Sequence, residues 1–329
     1  MNLAKVRNLL IIRLSSLGDI LLTTPLVRSI KKKYPEIKID FILKKEYKEV
    51  LEFNPYISKV LEYPANRNEK KLFLNQFKEN QHDFIIDLQN NFRSAEIRKI
   101  LGHPFVKFNK KSIDKFLLVK FKINRLRNSS QIPIRYAETL DNLKLDDDGL
   151  DFFLPNKITP ELNNNENIIG FAPGSKHFTK MWPKEYFIEL GNQLKNEGFK
   201  IALFGGGNDI RTCHEISNNI PNCINQCGQN NLYKTAINMK QCSAIVCNDS
   251  GLMHVASALK IPLLALFGST VKEFGFSPYK SKNIVYENNK LECRPCTHIG
   301  RDKCPKKHFK CMLELTPQIA LEKLKLLLN

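Results

Sequence analysis

Short apolar runs that end in polar turns and lead into segments of helical period recur along this chain, and no other feature constrains its fold as tightly. Residues 8–13 (Asn-Leu-Leu-Ile-Ile-Arg) read as a buried strand, and residues 14–19 (Leu-Ser-Ser-Leu-Gly-Asp) as a polar turn. Residues 20–34 then carry apolar side chains at 21, 22, 26 and 30 and finish in three lysines before Pro35. Cations complement the dipole at a helix C-terminus, and proline stops the next turn. The alternation continues with strands at 38–43, 60–63 and 84–88 and helices at 46–52, 70–79 and 93–101. Strand–helix alternation with continuous apolar strands predicts βαβ units and a parallel sheet.

Residues 146–167 interrupt the rhythm with three consecutive aspartates, Gly149, Pro155, Pro160 and an Asn163-Asn164-Asn165 run, and read as an interdomain connection. The pattern then restarts. Strands are expected at 167–172, 199–204, 244–247 and 262–267. A helix opens at Trp182-Pro183, and others cover 232–239 and 251–259. A chain of 329 residues, 42% of them hydrophobic, can bury two cores of this kind, which excludes wholesale disorder. Two doubly wound α/β domains in series, 1–155 and 156–329, are the expectation. Ligands in such sheets bind beyond the carboxyl ends of the strands.

Four loops at strand ends carry candidate chemistry. Asp19 lies between strand and helix, where a carboxylate serves either as a first-turn acid or as a general base. Residues 173–180 (Pro-Gly-Ser-Lys-His-Phe-Thr-Lys) combine glycine, hydroxyls and two lysines in a plausible phosphate cradle without the order of a Walker motif. Gly205-Gly206-Gly207-Asn208-Asp209 would let a ligand approach the backbone, with a polar group beyond to reach a ribose. Asn248-Asp249-Ser250-Gly251-Leu252-Met253-His254 puts a hydroxyl and free amides at a helix start, with His254 one turn on.

Charge and cysteine narrow the partners. Lys plus Arg number 51 against 33 Asp plus Glu, a net charge of +18, split as +10 over residues 1–154 and +8 over 155–329. An excess so evenly spread favours anionic partners, whether nucleic acid, lipid headgroups or phosphorylated small molecules, or reflects solvated lysine-rich faces. No run of 18 apolar residues is present, and the start does not read as a signal peptide, so a cytoplasmic location is expected. Cys293, Cys296, Cys304 and Cys311 stand in a C-x2-C-x7-C-x6-C pattern that could ligate a structural zinc or leave free thiols. The other five cysteines look like small core residues.

Residues 8–35, 84–94, 170–183 and 246–259, taken in order, resemble glycosyltransferase family 9, the bacterial lipopolysaccharide heptosyltransferases. Ser16-Leu17-Gly18-Asp19 and Asp249-Ser250-Gly251-Leu252-Met253-His254 are the most specific parts. The resemblance implies a GT-B fold, two Rossmann-like domains facing across a cleft, with the extreme C-terminal helix able to pack back on the first. It implies an inverting transfer with no cofactor and no metal required for catalysis. The donor, an ADP-sugar such as ADP-heptose, is expected in the C-terminal domain. The acceptor, the lipid A-linked inner core, is expected in the N-terminal domain, with the enzyme peripheral on the anionic inner face of the inner membrane. Asp19 matches the family's base. Ser175 and Lys180 match its diphosphate ligands, and Asp249, Ser250, Gly251 and His254 its donor motif, with Ser for Thr and Met for Ser. Asn208 and Asp209 occupy the stretch where relatives often place a ribose-binding glutamate. Ser16, Gly18 and Arg93 are the expected acceptor contacts. A sugar-nucleotide epimerase or hydrolase of the same fold is the alternative enzyme. A basic nucleic-acid binder is the alternative class, with no helix-turn-helix, RNP or zinc-finger signature to support it.

Overall fold

The computed structural model describes residues 3–66, 69–70, 72–73, 82–163, 166–228 and 231–329. Most of the helix expected at 70–79 falls outside the described residues. The chain forms two compact units: residues 1–112 with 130–153, and residues 113–129 with 154–329.

The first unit holds a parallel five-stranded sheet. Its strands are β1 (Asn8–Ile12), β2 (Lys38–Lys44), β3 (Lys59–Tyr63), β4 (Phe84–Asp87) and β5 (Phe105–Lys107), in the spatial order β3-β2-β1-β4-β5. β1 is central, with Leu9 opposite Ile39 on one side and Phe84 on the other. A strand covered on both faces must be apolar at successive positions, and Leu9 through Ile12 are fully buried.

The helical stretch after β1 is two helices, α1 (Leu17–Leu21) and α2 (Thr24–Lys33), where the sequence suggests one. Pro25, in the first turn of α2, has no amide to continue a single helix. The hydroxyls of Thr23 and Thr24 donate instead to the carbonyls of Ile20 and Leu21, at 2.6 and 2.8 Å. The early start of α1 places Asp19 inside its first turn rather than ahead of it. Residues 46–52 form a 3-10 turn, Lys45–Val50, and α3 (Phe92–Leu101) ends at Gly102, which takes the left-handed φ of 66°.

Residues 146–151 belong to this unit and are not a free linker. Buried Arg28 on α2 donates to Asp146 at 2.9 Å, to the Gly149 carbonyl at 2.8 Å and to Asp151. Lys32 adds a second contact to Asp146 at 2.7 Å.

The second unit holds a parallel six-stranded sheet: β6 (Ile168–Ala172), β7 (Lys200–Leu203), β8 (Ile224–Asn225), β9 (Ala244–Asn248), β10 (Leu263–Phe267) and β11 (Asn283–Glu287). The spatial order is β11-β10-β9-β6-β7-β8.

Residues 113–129 correct the expected division of the chain. The helix α4 (Ser112–Phe121) and the turn after it bury Leu118 and Leu126 against Phe274, with Val271 and Phe276 alongside. This apolar contact draws the segment into the second unit. The C-terminal helix belongs to the second unit. Counted after α5 (Ile132–Ala137), α6 (Lys184–Asn196), α7 (Ile210–Ser217), α8 (Leu232–Met239), α9 (Gly251–Ala258) and α10 (Lys310–Leu313), it is α11 (Pro317–Leu328). Leu321, Leu324 and Leu327 join the core of the second sheet with Leu190 and Leu194 of α6.

Arg28→Met removes the cation from two carboxylates and is expected to cost about 3 kcal/mol in chemical denaturation at neutral pH. Hydrogen bonds from Arg28 hold the Asp146 carboxyl well below the usual carboxylate range. Its stabilisation is therefore present above an unfolded pKa near ~3.9 and lost as pH falls through the lower folded value. The variant is expected to lose part of this acid-side dependence.

Candidate functional site

In each sheet the chain reverses its direction of strand addition once, at β1/β4 in the first and β6/β9 in the second. Loops diverge at such a point and leave a crevice at the carboxyl edge. The candidate residues gather beyond these two edges.

In the first unit, Asp19 is half-buried. Its carboxylate accepts from the Ser16 amide at 3.1 Å and the Ser16 hydroxyl at 2.8 Å, and pairs with the Arg13 guanidinium at 2.6 Å. Burial works to raise the Asp19 pKa, but the Arg13 charge and the Ser16 bonds outweigh it and hold the carboxyl below its ordinary range. Asp19 is therefore ionised at neutral pH, with its basicity reduced. Arg13 is fixed from behind by the Leu88 carbonyl at 2.7 Å, and the Gln89 side chain accepts from the Leu14 amide at 2.9 Å. Lys110 completes the electrostatic surroundings, and burial with the nearby Arg13 charge lowers its pKa.

Ser16 and Gly18 share the Asp19 turn, and Gly18 is buried within it. Arg93 stands elsewhere. It lines a cavity of about 410 Å3 with Lys44, Lys45, Lys70, Glu62 and Tyr63, at the carboxyl ends of β2 and β3.

In the second unit the Lys180 ammonium pairs with Asp249 at 2.8 Å, and the Thr270 hydroxyl donates to the same carboxylate oxygen at 2.7 Å. The Ser175 hydroxyl reaches the Asp249 carbonyl at 3.4 Å. Asn248 fixes the loop that carries Ser175 and Lys180. It donates to the Pro173 carbonyl at 2.7 Å and accepts from the Trp182 amide at 3.0 Å. Ser250 is the N-cap of α9 with extended backbone, and its hydroxyl makes no capping bond. That hydroxyl and the first amides of α9, beginning at Gly251, are suited to an anion. His254 is buried one turn into the helix.

Asp209 and Asn208 diverge. The Asp209 carboxylate accepts from the Gly206 amide at 2.9 Å and closes its own loop. It also lies against Gly174, where a Cβ would stand 2.3 Å from its oxygen, so a larger residue there would displace the Asp209 carboxylate. Burial pushes the Asp209 carboxyl up against the opposing effect of the Gly206 amide. Asn208 is exposed.

Residues 72–307 match the family described as glycosyltransferase family 9 (heptosyltransferase). The chain belongs to glycosyltransferase family 9. This glycosyltransferase is 28% identical to lipooligosaccharide heptosyltransferase 2 of Haemophilus influenzae, over 98% of this chain and 99% of that relative. It is 25% identical to lipopolysaccharide heptosyltransferase 2 of Salmonella typhimurium, over 98% of each. Among solved structures it is similar to Escherichia coli ADP-heptose LPS heptosyltransferase II, with a TM-score of 0.74, 25% identity and 98% of each chain covered. A family 9 glycosyltransferase from Veillonella parvula gives a TM-score of 0.80 at 23% identity, covering 98% of this chain and 97% of that one. The fold is therefore the GT-B α/β fold of these enzymes.

The C-terminal cysteines of the glycosyltransferase do converge. Cys293, Cys296, Cys304 and Cys311 line one cavity of about 10 Å3 together with His308, whose Nε2 is 3.8 Å from the Cys293 sulfur. Yet among the described residues no three His, Cys, Asp or Glu side chains form a set that could hold a metal ion. The donors are right in type but not in arrangement. Burial pushes the Cys311 thiol up to about 12 and raises Cys296.

Arg13, Gln89, Lys110 and Thr270 shape the two sites and were not singled out in the sequence. An arginine ending an apolar strand was a visible signal for the first. Replacing Arg13 by Gln is expected to raise the Asp19 pKa, read directly by carbon NMR titration of the labelled carboxyl. An unmoved titration would show that Arg13 does not set the charge state of Asp19.

Proposed function

We propose that this enzyme transfers a heptose from an ADP-sugar to the inner core of lipopolysaccharide, inverting the anomeric centre and using no metal. One observation carries the reading: Lys180, Ser175, Asp249 and the uncapped start of α9 share the switch point of the second sheet. A cation, hydroxyls and helix amides are what a nucleoside diphosphate leaving group requires. The names of the family 9 relatives, which specify heptose transfer to lipopolysaccharide or lipooligosaccharide, supply the sugar and the acceptor.

In this reading the acceptor hydroxyl attacks the anomeric carbon of the heptose and gives its proton to Asp19 of the first unit. The bond from that carbon to the diphosphate oxygen breaks, and ADP departs with the electron pair. Lys180, the Ser250 hydroxyl and the α9 amides stabilise the charge that grows on the diphosphate. Ser16 and Gly18 shape the acceptor side of the Asp19 turn. Arg93, with Lys44, Lys45 and Lys70 in its cavity, offers cations to the acidic groups of a phosphorylated core acceptor. Asn208 is left to reach the ribose, and His254, buried one turn into α9, completes the donor motif. The acceptor is anchored by lipid A, so the enzyme works peripherally on the anionic inner face of the inner membrane. Nucleic acid is not a partner.

Asp19→Asn is expected to retain ADP binding, read by thermal shift, and to lose turnover by about a hundredfold or more. Lys180→Met is expected to lower turnover by about 10²–10³-fold. Full turnover in Asp19→Asn, measured as heptosylated core oligosaccharide by mass spectrometry, would clear Asp19 of the base role.

A further inference from the structure

The helix α4 is apolar on two faces, and only one of them is used by the core. Leu118 and Leu126 pack against Phe274. On the other side Ile113, Phe116 and Phe121 are 73%, 58% and 57% exposed, and Ile123 just beyond the helix is 50% exposed. Ile113, Phe116, Lys120 and Phe121 fall on one stripe by helical spacing, at i, i+3, i+7 and i+8. The two rings meet edge to face at the surface, with centroids 5.9 Å apart. Residues 113–129 carry five basic side chains and one acidic one, and Lys120, Arg125 and Arg127 are exposed. Lys122 secures the turn by donating to the Cys293 and Pro295 carbonyls at 3.1 and 2.6 Å, so the patch is held on a fixed scaffold.

We propose that this face, Ile113, Phe116, Phe121 and Ile123 with Lys120, Arg125 and Arg127, docks on an anionic lipid bilayer surface. Aromatic and aliphatic side chains seat at the boundary of headgroup and acyl chain, while the flanking cations meet lipid phosphates. Charge decides among occupants. A second copy apposed through the same patch would bring two cationic surfaces together, whereas an anionic bilayer satisfies cations and apolar groups at once. Among the described residues no helix is long and apolar enough to cross a membrane, so the contact lies on the surface. The inference rests on the proposed reaction only for the expectation that the acceptor is lipid-anchored.

The test is flotation of the full chain with vesicles of phosphatidylglycerol and phosphatidylethanolamine, and with vesicles of phosphatidylcholine. The wild type is expected to float with the anionic vesicles and to be released by salt. Each cation near such a surface multiplies affinity about fivefold, so Lys120→Glu with Arg125→Glu is expected to lower partitioning by more than tenfold. Phe116→Ser with Phe121→Ser is expected to lower it at least about tenfold at unchanged net charge. These side chains are exposed, and retained ADP binding by thermal shift confirms that each variant is folded.

Equal flotation of wild type and variants overturns the proposal. So does wild-type flotation that is no better on anionic than on neutral vesicles, or a wild-type dimer that the phenylalanine variants dissociate without any change in flotation. Transfer to a delipidated core oligosaccharide is measured alongside. Transfer that persists without flotation overturns the docking surface alone, and flotation without ADP binding or transfer overturns the proposed reaction alone.

Discussion

The arrangement around Lys180 and Asp249 depends on one buried amide. The Asn248 side chain, at the end of β9, holds both ends of the loop after β6, by its bonds to the Pro173 carbonyl and the Trp182 amide. Every position from 174 to 181 is therefore fixed relative to the β9 turn. A short chain of consequences follows. Lys180 arrives beside Asp249, Ser175 reaches the Asp249 carbonyl, and Thr179 meets Ser269 at 3.0 Å. An apolar residue at 248 would leave a buried carbonyl and a buried amide without partners, the costly kind of lost hydrogen bond.

Two carboxylates sit beside cations in this protein, and their surroundings fit them for different work. Asp249 is braced by Thr270 as well as Lys180 on the same oxygen. If an anionic ligand draws the ammonium away, the carboxylate keeps a donor, which eases the exchange of one anion for another at Lys180. Asp19 is held by Arg13 and by Ser16, and both lower its affinity for a proton. In the proposed base role, such a carboxylate is ready at neutral pH but weak. Ligand contacts that draw Arg13 toward an acceptor anion would restore its strength as the substrate arrives.

The strands were legible because parallel strands covered on both faces must be continuously apolar. Residues 9–12, 168–172 and 244–247 show that pattern without interruption. The break between α1 and α2 was legible in principle, since Pro25 cannot donate, yet the apolar period runs through it and hides it. Residues 102–145 offered no such pattern. α4 is apolar on opposite faces, so its period is blurred, and its place in the second unit depends on Phe274, more than 140 residues further on. The site turns were visible as glycine- and hydroxyl-rich strand ends. Their electrostatics were not: Arg13 stands visibly at the end of an apolar strand, but its pairing with Asp19, like that of Thr270 with Asp249, is a contact that spacing does not encode. The cysteine pattern shows the converse. Its spacing brings four thiols to one cavity, while buried side-chain directions decide whether they form a ligand set.

The glycine turn after β7 shows how a local bond can redirect a functional expectation. An acid beyond Gly205-Gly206-Gly207 suits a ribose only if its carboxylate is available. Asp209 instead accepts from the Gly206 amide and fills the space beside Gly174. Moving it toward a ligand would break the loop's own closure and open a gap against the β6 loop. Asn208, exposed at the crest of the same turn, carries both a donor and an acceptor and can meet a sugar hydroxyl without that loss. The acid that closes the turn and the exposed amide are thus neighbours in sequence with different surroundings, and the small residue at 174 leaves room for the acid.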